Sequence, residues 1–379
     1  MKYKIINTRK RIATAAADMI GSALYAPARL FRGATAPIDH ASVREILLIR
    51  TAYIGDMIMT IPMLAPLKRR YPDARITVLT SRGGAQMLKG NPHAGETLAY
   101  EPFWFYPTPK SDYSTFIRTL KSRSFDMVIE ARADIREILM LVRPLKARYK
   151  VSYSVGGGAY MLTHVVPYPG LKHKVQYHLD IARYLGCDAG DDAEWGLYIT
   201  EDELTRAREL LASAGAHGDF IAVHPGSRLA LKRWAGFGPL CDRIARETGM
   251  QTVLLGAESE RPIVDEVIRG MSAIPPTLCG RMDIRTLAAV IKLSRAMVCH
   301  DSAPMHMAAA EGVPTVAIFG PSKSSETAPY GAIHHVVEKP FACRETCDES
   351  TCANPAHHAC MRAIGEDDIM SALVEALKR

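Results

Sequence analysis

The chain has 379 residues, 48% hydrophobic and 23% charged, the composition of an ordinary globular protein and a length beyond what one core usually supports, so two domains are expected. No stretch approaches the roughly 18 to 20 uninterrupted apolar residues that a membrane-spanning helix needs. The net charge of +7 is concentrated at one end, where Lys2, Lys4, Arg9, Lys10, Arg11, Arg29 and Arg32 stand against Asp18 alone; the rest is nearly neutral, and nucleic acid is not an expected partner.

That basic head resembles a signal peptide in its start, but Asp18 interrupts the apolar region and Tyr25, Leu30 and Phe31 continue beyond it, so it reads as retained. Two uses are open for residues 1–32: a helix packed on the body or a frayed terminus, or a basic amphipathic segment making peripheral contact with an anionic membrane. A spacer rich in Pro, Gly and Ala follows. EILLIR (45–50) is then a buried-strand run, followed by a turn, an apolar-periodic helix ending at KRRYPDA, and a second strand, RITVLT (75–80). Strand, helix, strand order implies parallel pairing with a right-handed crossover, and FDMVIEA (125–131) continues it.

The turn-rich, acidic CDAGDDAEWGLYIT (187–200) reads as a linker. Beyond it the pattern restarts with strands in DFIAVHPGS (219–227), QTVLLGA (251–257), RAMVCHDSA (295–303) and PTVAIFGPS (314–322). Helical spacing of Ile369, Leu373, Ala376 and Leu377 closes the chain. The expected organisation is an α/β fold of two open, mostly parallel units: an extension at 1–40, a first domain at 41–190, a second at 191–364 and a terminal helix at 365–379. Ligands of such sheets lie beyond the carboxyl ends of the strands, so two units facing each other would form an interdomain cleft.

Three strand ends carry candidate chemistry. Asp56 lies after the first strand, at the start of a helix. An N-cap is the ordinary use of Asp there, and Pro62 would remove a helical hydrogen bond unless the helix bends. HPGSRLALKRW (224–234) sets a Gly-Ser turn with Ser227 before Lys232. Amides plus a lysine are what a diphosphate needs, although an ordinary solvated loop uses the same residues. In HDSAPMHMAAAEGVPTVAIFGPS (300–322), Asp301 and Ser302 are good N-caps, Pro304 is tolerated in the first turn and Gly312 closes the helix. Ser302 and Ala303 would offer amides to a phosphate, with His306 on the same turn; a lone His is more often a satisfied neighbour of the core. GGGAY (156–160) is too short for a phosphate loop, and no dinucleotide fingerprint, P-loop or acidic pair at a strand end is found. Phosphate charge therefore falls to amides, Lys and His.

The eight cysteines divide in two. Cys187, Cys241, Cys279 and Cys299 are scattered in apolar surroundings and read as small core residues, whereas Cys343, Cys347, Cys352 and Cys360 cluster. Without an export signal the cluster suggests a metal before disulfides: a structural tetrathiolate Zn or Fe, with His357 or His358 as a substitute ligand, set against free or oxidisable thiols.

Taken in order, RTAYIGDMIMTIPMLAPLKRRYPDARI, HPGSRLALKRW, LLGAESE and DSAPMHMAAAEGVPTVAIFGPS resemble glycosyltransferase family 9, the ADP-heptose:lipopolysaccharide heptosyltransferases, over roughly residues 44–379. The resemblance implies a GT-B architecture of two facing Rossmann-like domains, acceptor on the first, sugar nucleotide on the second, with the C-terminal helix often returning to the first. It implies an inverting, metal-independent transfer of a heptose from ADP-heptose to a lipopolysaccharide core or related lipid-linked glycan at the cytoplasmic face of the inner membrane. It makes Asp56 the general base, gives the donor diphosphate to Lys232, Ser227, Ser302, Ala303 and His306, and sets Glu258 and Asp301 at the nucleotide; no cofactor is required. The Ala-Pro of DSAPMH, where several members have a glycine, is more similar to core-heptose-adding members than to the first heptosyltransferase. The cysteine spacings are tighter than those of relatives that glycosylate autotransporter proteins and carry a four-cysteine iron site.

The alternatives are a GT-B transferase with another nucleotide sugar or a protein acceptor, and a non-catalytic nucleotide- or glycan-binding module. An epimerase is disfavoured by the Asp56 turn and by the lack of a second catalytic acid.

Overall fold

A computed structural model of the protein describes residues 8–32, 37–190, 195–347, 349–352 and 354–378, without the side chains of Lys10 and residues 27–32. Lys2 and Lys4, the side chains of Lys10, Arg29 and Arg32, and linker residues 191–194 lie outside that description. The chain divides into two compact units between Glu194 and Trp195.

The first unit is a six-stranded sheet in the order β3-β2-β1-β4-β5-β6, every pair parallel. Its strands are β1 (Glu45–Arg50), β2 (Arg75–Thr80), β3 (Glu96–Ala99), β4 (Met127–Glu130), β5 (Tyr149–Ser152) and β6 (His164–Val165). Ile46, Leu47, Leu48 and Ile49 of β1 are each 0% exposed, as a strand covered on both faces requires. Leu47 and Ile49 enter one core cluster with Phe125, Val128 and Leu141. Strand order reverses between β1 and β4, so the crevice where ligands of such sheets bind opens beside the end of β1.

The helix expected after β1 is divided: α2 (Ile54–Ile58), a 3-10 turn Ile61–Met63 holding Pro62, then α3 (Leu64–Arg70). Proline lacks the N–H that a continuous helix needs, and the break falls around it. The head forms α1 (Thr8–Arg32), packed against the turn Ala159–Met161 of this unit.

The second unit is a five-stranded parallel sheet in the order β11-β10-β9-β7-β8. Its strands are β7 (Phe220–His224), β8 (Gln251–Leu254), β9 (Ala296–His300), β10 (Thr315–Phe319) and β11 (His335–Glu338). Here the order reverses between β7 and β9, which bring together the ends of two segments singled out in the sequence.

The terminal helix Glu366–Leu377 belongs to the second unit, and its Ile369, Met370, Leu373 and Ala376 enter that unit's core with Val298, Val316, Ile318 and Val337. The four scattered cysteines are buried as expected, and among the described residues no helix is long and apolar enough to cross a membrane.

Candidate active site

In the first unit Asp56 stands at the third position of α2, not at its N-cap, and accepts only a long hydrogen bond of 3.4 Å from the Tyr53 N–H. Its carboxylate is engaged by cations instead. Arg50 Nη2, from the last residue of β1, lies 2.6 Å away, and Lys174 Nζ, from the helix Lys174–Tyr184, lies 3.1 Å away. The Asp56 side chain is 13% exposed and that of Arg50 4%. Burial pushes the Asp56 carboxyl up, but the charges of Arg50, Lys174 and Arg132 outweigh it and hold the group well below the usual carboxylate range. Arg132 itself lies 4.0 Å from the centre of the Phe105 ring. Neighbouring His178 is driven down to about 3, chiefly by burial, and its Nδ1 donates to the Met59 carbonyl at 2.8 Å.

Near Thr51 and Arg132 lies a pair of enclosed acids that the sequence reading did not single out. Glu130, the last residue of β4, and Glu137 are both 0% exposed. Glu130 accepts from the Arg132 and Ala133 amides at 3.0 and 2.8 Å and from Ser152 Oγ at 2.6 Å, while Glu137 Oε1 accepts from Thr51 Oγ1. Burial first and the Glu137 charge second push the Glu130 carboxyl well up. A Glu130 carboxyl pushed up in this way favours its protonated form, so the pair is a structural clasp, not a dianionic metal cradle.

In the second unit Lys232, in the turn Ala230–Lys232, reaches Asp301 at 2.7 Å and Glu349 at 2.8 Å. Asp301 comes directly after β9. Its carboxylate is opposed by burial but held down by the charges of Lys232 and His306. Asp301 was expected at the nucleotide; it is 10% exposed and holds the lysine. Ser302 is the N-cap and Ala303 the first residue of the eight-residue helix Ala303–Ala310; Ser302 Oγ donates to the His300 carbonyl, leaving the helix start without a side-chain cap. His306, on the first turn, is buried. Such a helix start, beside a protonated lysine, offers amides and positive charge to a phosphate.

Ser227 is also buried, and its carbonyl accepts from Arg233 Nε at 2.9 Å. Glu258 stands apart: its side chain is 68% exposed and paired with Arg261 at 2.6 Å. The inward carboxylate of that segment is Glu260, which contacts His224 Nε2 at 3.2 Å. His300 sets the turn that carries Lys232. Burial takes its imidazole down to about 3, so the ring is neutral; the Trp234 N–H donates to Nε2 at 2.8 Å, which leaves the proton on Nδ1, facing the Gly226 carbonyl.

With this geometry in hand, the family model for glycosyltransferase family 9 (heptosyltransferase) matches residues 113–357. The chain belongs to glycosyltransferase family 9. Lipopolysaccharide heptosyltransferase 3 of Escherichia coli K12 is 30% identical over 280 residues, covering 71% of this chain and 80% of that protein. Among solved structures, a family 9 glycosyl transferase of Veillonella parvula superposes with a TM-score of 0.79 at 22% identity, over 91% of this chain and 99% of that one. The ADP-heptose lipopolysaccharide heptosyltransferase II of E. coli gives 0.68 at 20% identity, over 88% and 98%. The two Rossmann-like units are those of the GT-B fold.

In this family 9 chain the clustered cysteines line a single cavity of about 120 Å³. Cys343 Sγ accepts from Asn354 Nδ2 and Cys352 Sγ from the His358 N–H, each at 3.3 Å. Among the described residues no three His, Cys, Asp or Glu side chains converge as metal ligands, and His358 Nε2 is engaged by the Leu231 carbonyl at 2.6 Å. As arranged, these residues do not fit a tetrathiolate shell. They attach the 343–360 segment to the turn of Lys232, through His358 on Leu231 and Glu349 on Lys232. Arg50, Lys174, His300 and Glu349 carried no local signal: Lys174 is 118 residues from Asp56, and pairing over that distance exists only in the fold.

Proposed function

We propose that this glycosyltransferase moves a heptose from ADP-heptose onto a lipopolysaccharide core acceptor, with inversion, at the cytoplasmic face of the inner membrane. Support for the sugar and the acceptor comes from the names of its relatives, lipopolysaccharide heptosyltransferase 3 and ADP-heptose lipopolysaccharide heptosyltransferase II. The observation that carries the mechanism is the ionised Asp56 at the switch point of the first sheet, held by Arg50 and Lys174. A carboxylate in that state takes the proton of an acceptor hydroxyl as its oxygen attacks the anomeric carbon. The bond from that carbon to the diphosphate breaks with its electron pair leaving on ADP, and a single displacement inverts the centre.

Negative charge then grows on the diphosphate. Lys232, the amides of Ser302 and Ala303, and His306 are its proposed acceptors, as charge-stabilising groups of this chain. Burial lowers the Lys232 pKa, but Asp301 and Glu349 more than reverse this and keep the ammonium protonated. Glu258 and Ser227 complete the proposed donor contacts. No step is assigned to the cysteine cluster.

The test is Asp56→Asn with ADP-heptose and truncated lipopolysaccharide acceptors. Turnover should fall about 10²- to 10⁴-fold while ADP still raises the thermal midpoint as in the parent. Unchanged turnover would remove Asp56 as the base, and a midpoint that responds to UDP or GDP in place of ADP would move the donor to another nucleotide sugar.

A further inference from the structure

Helix α1 packs the wrong way round for a helix that only serves its own domain. Its inward face is small and polar: Thr14, Asp18, Gly21 and Tyr25, spaced four, three and four residues apart. Asp18, 6% exposed, accepts from the Gly158 N–H at 2.8 Å. Gly21 lies so close to the Tyr160 ring that an added Cβ would sit 2.1 Å from it. Tyr25 packs on Tyr160 with ring centres 5.3 Å apart, and Arg143 Nε donates to its hydroxyl at 2.6 Å.

The large apolar side chains point outward. Ile12 is 64% exposed, Met19 72%, Ile20 63% and Leu24 74%, with exposed alanines at 13, 16, 17 and 23 between them. Their spacing gives one continuous stripe of a 3.6-residue period, and no exposed position from 12 to 24 carries a charge. Elsewhere among the described residues only Ile274, at 85%, is as exposed among large apolar side chains. An ordinary surface helix reverses this arrangement, and an apolar stripe left open marks a surface for something else.

Charge decides what covers it. The helix's single acid, Asp18, is turned inward, so the open face has no negative group. Arg9 stands exposed at its start, and at the Tyr25 end exposed Arg143 opens a run with exposed Lys146 and Arg148. Pairing with a second copy about a two-fold axis would set basic ends against basic ends in either direction. We infer that this face of α1 lies on an anionic lipid bilayer, with Ile12, Met19, Ile20 and Leu24 inserted at the boundary between head groups and acyl chains and the flanking arginines on lipid phosphates. This inference stands apart from the assignment of the reaction.

The experiment is co-sedimentation of the full chain with vesicles of phosphatidylcholine mixed with phosphatidylglycerol, and with phosphatidylcholine alone, at low and high salt. The protein is expected to sediment with the mixed vesicles and to be released by salt. Ile20→Glu/Leu24→Glu should lower partitioning more than tenfold and Arg9→Gln about fivefold, with the thermal midpoint of both variants unchanged because all three side chains are exposed. Equal binding to both vesicle types, no binding, or undiminished binding of the double variant would each overturn the inference. So would a concentration-dependent dimer, lost in the double variant, without vesicle binding: that result gives the face to a second copy.

Discussion

Asp56 meets two demands that pull against each other. Three cations keep it deprotonated at neutral pH, as a base must be, but a carboxylate so stabilised binds a proton weakly. Lys174 is the partner able to withdraw: its side chain is 34% exposed on a flexible stem, whereas Arg50 is enclosed at 4%. Lys232 shows a related conflict. Its ammonium is already shared by Asp301 and Glu349, so a donor diphosphate bound there as proposed would meet a carboxylate in its place. Asp301 is enclosed and fixes the lysine; Glu349, 37% exposed, is the one that can leave. An ion pair that open is worth about 0.2–1 kcal/mol. Glu349→Gln should therefore lower the Kd for ADP, by up to about fivefold, in a calorimetric titration. Unchanged or weaker binding would show that Glu349 supports the site instead of competing for it.

At the level of elements, the strands that were readable are the enclosed ones. β1, β7, β9 and β10 are continuous apolar runs because both faces are covered, and periodicity marks them without help from the fold. The strands missed in the sequence were β3, β5, β6 and β11. β3 and β11 carry exposed or half-exposed residues through most of their length, β5 is buried but is only the four residues YKVS, and β6 is two residues long, so a run of apolar letters never forms. The site divides on the same principle. Asp301 and Ser302 directly follow β9, and Asp56 and Lys232 lie in the first turns after β1 and β7, where turn chemistry is local; Glu130 and Glu137 are seven residues apart and meet only because the chain turns at Ala133. That turn explains GGGAY. Ala133 has a φ of 63°, and a Cβ on Gly156 would lie 1.8 Å from its carbonyl oxygen. The glycine run admits a close backbone approach beside the carboxyl clasp and, through the Gly158 N–H, holds Asp18 of α1. Gly156→Ala cannot be relieved by a rotamer change, and is expected to cost about 1–3 kcal/mol, read as a lowered thermal midpoint. An unaltered midpoint would mean that the approach at Ala133 is looser than described.

For the molecule as a whole, the enclosed carboxyls give stability a dependence on pH with two flanks of opposite origin. Asp56 and Asp301 are held below the ordinary aspartate value of 3.8, so they add stability above that value and lose it as pH falls below it. Glu130 is held above the ordinary glutamate value of 4.5 by burial and then by Glu137. The folded chain therefore keeps a proton that the unfolded chain releases, and stability declines as pH rises beyond 4.5. Glu137→Gln separates the two flanks. Its carbonyl can still accept from Thr51, while its amide can donate to Glu130 at every pH and the Glu137 charge is gone; only the burial of Glu130 remains. Urea unfolding across about pH 5 to 9 should show the parent losing on the order of 1–3 kcal/mol, the penalty of an enclosed polar group left without a partner, and the variant losing measurably less. The acid flank should be common to both, since Asp56 and Asp301 are unchanged. A variant as sensitive to alkali as the parent would place the proton elsewhere and leave the clasp of Glu130 and Glu137 without its cause.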